Sequence, residues 1–141
     1  MDRAAVAKIV FAPPPDGPEQ LAYLERITHP RIGARILRRI EELKLENRVA
    51  AVLDAPLMFK AGWDKYCDIV LFIDAPLDQR LSRARRRGWT DEQYAARESA
   101  QTPVEVKRGR ADVVIDNSGS IEQTLTQTRH IWNTRIIDQS P

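Results

Sequence analysis

Asp68-Ile-Val-Leu-Phe-Ile-Asp74 and Ala111-Asp-Val-Val-Ile-Asp-Asn-Ser-Gly119 are the two stretches whose reading decides this fold, each an apolar run closed by an acid. Between them runs an arginine-rich helical segment, and the order strand, basic helix, strand implies a phosphate-handling lid in a nucleotide-binding fold. A third run, Val49-Ala-Ala-Val-Leu53, ends at Asp54 and Pro56. Runs without polar alternation suit parallel strands buried on both faces. Strands alternating with helices imply an α/β parallel sheet, whose ligands sit at the carboxyl ends of the strands. Site residues are therefore expected just after Leu53, Ile73 and Ile115.

Outward from these runs, residues 3–11 read as a short helix with Val6, Ile9 and Val10 inward, stopped by the rigid turn Pro13-Pro-Pro15-Asp-Gly-Pro18. Pro18 suits a helix start, with Leu21, Leu24 and Ile27 on one stripe up to His29. Pro30 is read as a kink, after which Ile32, Ile36, Leu37, Ile40 and Leu43 continue at helical spacing to about Asn47. At the other end, Ile121, Leu125, Thr128, Trp132 and Ile136 mark a closing helix.

With 43% apolar residues over 141 positions, one compact domain with a core is expected. The 22 Lys and Arg against 20 Asp and Glu leave a formal charge of only +2, so the basic character is local. A general polyanion-binding surface is excluded on that count, and no nucleic-acid partner is expected. Cys67 is the only cysteine and has neither a disulfide partner nor a metal-site cluster, which makes a reducing cytoplasm the expected home. No apolar run approaches the ~18 residues that span a bilayer, so no membrane partner is expected either.

Each candidate motif has an ordinary structural explanation beside the functional one. Asp54 and Asp74 resemble the acids that hold magnesium at strand ends, yet any strand leaving a core needs a polar residue there, and that plain explanation is preferred. His29-Pro30 could present an imidazole to a cleft, but a helix-cap pair is the simpler reading. The arginines speak more strongly. Arg80, Arg83 and Arg87 fall at i, i+3 and i+7 on one helix face, with Arg85 and Arg86 beside them. Such a crowd of guanidinium groups repels itself and gains most from a bound polyphosphate, which Arg grips in bidentate fashion. The competing explanation is a solvated helix balanced by Asp78, Asp91 and Glu92.

Four segments taken together carry a resemblance. His29-Pro-Arg-Ile32, Pro56-Leu-Met-Phe59, the stretch from Asp74 to Gln101 with Arg83, Arg87, Arg97 and Gln101, and Lys107 followed by Ala111 to Gly119 resemble the dephospho-CoA kinase family in order and spacing. The resemblance covers essentially the whole chain. It implies transfer of the ATP γ-phosphoryl group to the ribose 3′-hydroxyl of dephospho-CoA, with Mg²⁺, on a P-loop kinase fold. It also implies a helical substrate region over about 3–47, core strands over about 49–53, 69–73 and 113–115, and a lid over about 77–110 of one kinase domain. On that basis Arg83 contacts ATP phosphate, while Arg87 and Arg97 support the lid and Gln101 and Lys107 occupy lid positions. Asn117 and Gly119 border the adenine, and His29, Pro30, Leu57 and Phe59 line the substrate cleft. Lys60 and Glu98 depart from the family pattern and inherit no role.

The front of the family pattern has no counterpart here. No Gly-x-x-x-x-Gly-Lys-Ser/Thr loop and no Gly-x-Gly-x-x-Gly occurs in the 141 residues. Nor does the second strand with the Asp-Ala-Asp-like segment whose first Asp the family implies as general base. The expected fold is thus α/β, a P-loop-kinase-like parallel sheet with flanking helices and an Arg-rich lid, lacking the P-loop strand and the strand that follows it. Phosphoryl transfer depends on the P-loop amides, its Lys and Mg²⁺, so the chain alone is expected to be inactive. Three readings stay open, in this order: a kinase whose full chain begins upstream of Met1; an inactive remnant binding a CoA-like ligand or a partner; and an RNA-binding module using Arg80 to Arg87. Widely separated Trp63, Trp89 and Trp132 make poor base-stacking platforms and weaken the third. Open sheet edges imply self-association.

Overall fold

The computed structural model describes residues 2–137. The single domain expected from length appears as two compact units, residues 1–47 and 48–141. The regular elements of the first are both helices. It consists of α1 (Arg3–Val10) and α2 (Asp16–Leu45), which pack together. In α1 it is Val10 that is buried, whereas Ile9 stays exposed on the solvated side.

Helix α2 starts at Asp16 and runs unbroken through Pro30 to Leu45. Proline inside a helix removes one i→i−4 hydrogen bond, here the one to the Arg26 carbonyl, but does not forbid continuation when the flanking turns hold. His29-Pro30 is therefore mid-helix, and the helix-cap reading is corrected. The chain leaves α2 through Asn47, which adopts φ 53° and donates to the Lys44 carbonyl at 2.9 Å. Asn tolerates that left-handed conformation better than most residues.

The second unit is built on a two-stranded parallel sheet, β1 (Leu71–Asp74) beside β2 (Val113–Asp116), in the register Leu71↔Val113 through Asp74↔Asp116. Asp112 pins its entry: its carboxylate accepts from the Val70 amide at 2.7 Å, and its own amide donates to the Val70 carbonyl at 2.9 Å. Three helices make the crossover, α3 (Leu77–Arg86), α4 (Asp91–Ser99) and α5 (Val104–Gly109), and α6 (Ile121–Ile131) follows β2. Ile115, only 1% exposed, is the best-buried side chain, joined in the core by Trp63, Val70, Ala84 and Ile131.

Two expectations about the sheet fail. Residues 49–53 form no strand; they are irregular, with Val49 and Val52 exposed, because no strand lies beside them among the described residues to accept their hydrogen bonds. Nor are the two strands buried on both faces, since Leu71, Ile73 and Val114 remain exposed. The closing helix also differs: α6 buries Ile131 rather than Ile121 or Leu125, and its last residues, Trp132–Ile137, widen into a π-helical turn.

Local chemistry sets the corners of this crossover. Gly88, at φ 81°, ends α3 with paired bonds from the Gly88 amide to the Arg85 carbonyl (2.9 Å) and from the Trp89 amide to the Ala84 carbonyl (3.2 Å). That is the left-handed glycine cap which satisfies a helix's last carbonyls. Thr90 then opens α4 with a reciprocal capping box to Gln93, and Ser120 opens α6 with the same arrangement to Gln123.

Candidate functional site

The parallel register places Asp74 opposite Asp116, so both strands present their carboxyl ends together. There an open cleft of about 560 Å³ is lined by Asp74, Arg80, Arg108, Asp116 and Ser118 among others. Of the three expected site positions, those after Ile73 and Ile115 meet here. Asp54, after Leu53, sits exposed in the irregular segment.

Loop 117–119 is tied to this edge from both strands. The Asn117 amide donates to the Asp74 carbonyl at 2.8 Å, and the Ser118 amide donates to the Asp116 carboxylate at 2.8 Å. The Ser118 hydroxyl and amide together hold the Asp116 carboxyl below its usual range. Helix α3 grips the same loop: Gln79 donates to the Ser118 carbonyl at 2.9 Å, and Arg83 donates through Nη2 to the Asn117 carbonyl at 2.9 Å and to Gln79 at 3.2 Å. Thr124 Oγ1 donates to the Asn117 side-chain oxygen at 3.1 Å. Gly119 packs so closely on the Gln123 side chain that a Cβ would lie 2.0 Å from its Oε1. Arg83, Asn117 and Gly119 thus belong to one locus.

The five arginines separate by what they hold. Arg80 is held within the protein by two of its nitrogens: Nη1 donates to the Glu98 carboxylate and, at 2.8 Å, to the Tyr94 hydroxyl, while Nε donates to the Ala75 carbonyl at 3.2 Å. Arg85 makes a two-pronged pair with Asp91 at 2.8 and 2.6 Å, which draws the Asp91 carboxyl below its usual range. Arg83 uses only Nη2, leaving Nη1 and Nε without a protein partner among the described residues. Arg86 and Arg87, exposed at the end of α3, have none there at all.

The other residues expected in the lid divide likewise. Arg97 lies 4.2 Å over the Trp89 ring and donates to the Gln93 carbonyl at 3.1 Å. Lys107 donates to Gln101 at 3.1 Å, and burial pushes its ammonium below the usual lysine range against the opposing pull of Glu98. His29 and Pro30 lie in the first unit, whereas Leu57 and Phe59 lie in a run of hydrogen-bonded turns in the second.

Sequence reasoning passed over three participants. Glu98 and Tyr94 form the inner wall of the Arg80 site, and Arg108 closes on Asp74 at 3.0 Å. Spacing could not reveal them, since Glu98 is eighteen residues from Arg80. Among the described residues no group of three or more His, Cys, Asp or Glu could hold a metal ion. No helix of the described chain is long and apolar enough to cross a membrane.

Parallel strands whose ends carry a loop gripped by an arginine helix, with a multi-helix lid as crossover, define an α/β fold of the P-loop kinase class. The family model for dephospho-CoA kinase matches residues 1–123. A dephospho-CoA kinase of Symbiobacterium thermophilum is 39% identical over 134 residues, which are 94% of this chain and 54% of the relative. Among solved structures, TT1252 from Thermus thermophilus superposes with a TM-score of 0.70 at 34% identity, and a dephospho-CoA kinase from Campylobacter jejuni with 0.68 at 28% identity. Each superposition covers 99% of this chain and 68% of the other. This chain belongs to the dephospho-CoA kinase family, and it spans about half the length of the curated relative matched here.

Proposed function

We propose that this chain serves the ATP-dependent phosphorylation of the ribose 3′-hydroxyl of dephospho-CoA, the last step of coenzyme A synthesis, in the cytoplasm. The observation that carries the reading is the meeting of Arg83 with loop 117–119 at the carboxyl ends of the strand pair, in a member of this family. A guanidinium anchored by one nitrogen, with two donors open, is preorganised for a phosphate oxygen. Arg83 is accordingly the phosphate contact, and Asn117 and Gly119 border the base. Arg87, the partnerless member of the lid set, adds positive charge; Arg97, Gln101 and Lys107 shape the lid. His29, Pro30, Leu57 and Phe59 are assigned to the acceptor side. Arg80, bonded through Nη1 and Nε to Glu98, Tyr94 and Ala75, is assigned to the frame of the lid instead.

Magnesium, when bound, would supply charge neutralisation for the transferring phosphoryl group, and among the described residues no group of three or more His, Cys, Asp or Glu could hold it. The 141 residues also contain no glycine-rich Lys-Ser/Thr loop and no Asp-Ala-Asp-like segment of the kind from which the family implies its general base. The chain alone is expected to make no CoA from ATP and dephospho-CoA. Joined in one polypeptide to the part of the Symbiobacterium relative that lies outside the matched 54%, it is expected to make CoA from ATP and dephospho-CoA. A well-folded chimaera without CoA formation refutes the function; CoA from the chain alone, above a mock preparation, refutes the need for the loop. Pairing of Arg80 with Glu98 and of Arg85 with Asp91 neutralises two of the arginines on which the RNA-binding alternative relies.

A further inference from the structure

Residues 55–67 contain only one short regular element, the 3-10 turn Asp64–Tyr66, yet they are tightly folded. Met58 donates to the Ala55 carbonyl at 3.0 Å, Ala61 to Leu57 at 2.8 Å, Trp63 to Met58 at 2.8 Å and Cys67 to Asp64 at 3.0 Å. Trp63, 6% exposed, roots this knot in the core, while Leu57 and Phe59 are half-buried on it. Backbone turns alone leave such a segment free to open, because each bond exchanges readily with water. Something from outside must hold its Phe59 side.

That group is Arg110. It caps the end of α5, its amide bonded to the Val106 carbonyl at 3.1 Å, and its guanidinium lies 4.5 Å over the Phe59 ring while Nη2 pairs with the Asp64 carboxylate. The Asp64 side chain is 21% exposed, so this pair is better shielded than the surface pairs of α2. Two residues on, Asp112 holds the Val70 amide. Residues 110–112 therefore hold the segment at Phe59 and Asp64, and the chain just beyond it at Val70, from one short strip of backbone. Only a planar cation can lie flat on a ring and still present a donor to a carboxylate at its edge.

We propose that Arg110 is a positioning residue for the acceptor side: it sets the Phe59 ring and turns 56–66, and it ties them to the base of the arginine-rich lid. The inference rests on the assignment of Leu57 and Phe59 to the dephospho-CoA cleft. No step of phosphoryl transfer is ascribed to Arg110. It acts through Phe59 and Asp64.

The test is calorimetric titration of dephospho-CoA into the full chain and its variants, beside amide exchange resolved by residue. Arg110→Ala is expected to weaken dephospho-CoA binding about tenfold, the loss of one half-shielded cation–π contact with its pair. Exchange should accelerate at 57–66 and not in β1 or β2. Arg110→Lys retains the ion pair without the stacking plane and should recover part of the affinity; Phe59→Leu, which keeps the ion pair and most of the volume, should weaken binding without affecting folding. Binding by Arg110→Ala and Phe59→Leu within about twofold of the parent overturns the proposal, as does accelerated exchange spread over the whole unit. A parent that binds no dephospho-CoA while folded refutes the acceptor assignment itself, and the acceptor role of Arg110 with it.

Discussion

Replacing Arg80 by Ala would remove the group that joins the start of α3 to α4. Three acceptors lose their donor: the Glu98 carboxylate, the Tyr94 hydroxyl and the Ala75 carbonyl. The carboxylate matters most, because the Arg80 and Glu98 side chains are 29% and 32% exposed, between an open surface pair and a buried one. Fully exposed pairs contribute about 0–1 kcal/mol, and breaking a buried one costs about 3–5 kcal/mol. At this exposure the loss is about 2 kcal/mol, and because α4 meets the rest of the unit mainly through α3, it falls on local opening of α4. By the exponential relation between free energy and population, amides of α4 beyond its first turn should exchange about thirtyfold faster. Hydrogen exchange by residue on the parent, Arg80→Ala, Glu98→Ala and the double variant measures this, and the double variant should cost little more than either single one. Exchange in α4 within about threefold of the parent, or additive single effects, would show that the pair is ornamental and that Arg80 is free for a ligand.

In a polypeptide carrying both this chain and a functional phosphate loop, Arg83→Ala should lower kcat by about a hundredfold or more, the loss expected for a group that stabilises transferring charge; unchanged kinetics would remove Arg83 from the reaction. The chain alone should self-associate, because β1 has a partner strand on one side only among the described residues, and Leu71, Ile73 and Val52 are exposed apolar surface. Light scattering over a concentration series checks this, and a concentration-independent monomer with cooperative, high-temperature unfolding would show the small sheet to be self-sufficient.

How far the sequence could be read depended on how local each feature is. The runs at 69–73 and 113–115 became β1 and β2 within two residues, because apolar β-branched runs bounded by acids point to a single outcome. The equally apolar Val49–Leu53 did not, since a strand is a property of two segments and the run says nothing about its neighbour. Continuity of α2 through Pro30 was missed because proline's cost is repaid by turns on either side. Arginine spacing indicated a helix where α3 forms, and family order singled out Arg83 and Asn117, which the structure brings into hydrogen-bond contact. The partners that divide the arginines, Glu98 at eighteen residues and Asn117 at thirty-four, are tertiary facts and leave no periodic trace.

The corner between α3 and α4 is specified within Ala84 to Gln93: the glycine cap at Gly88 and the Thr90 capping box need nothing from elsewhere in the chain. Pairing Leu71 with Val113, by contrast, closes a loop of about forty residues, whose entropic cost grows with the length of flexible chain enclosed. A crossover that bends itself shortens that chain before the strands meet. The crossover is then a folding device, which brings two distant strands within reach of each other, and a slower refolding rate for Gly88→Ala at unchanged unfolding rate would register that role.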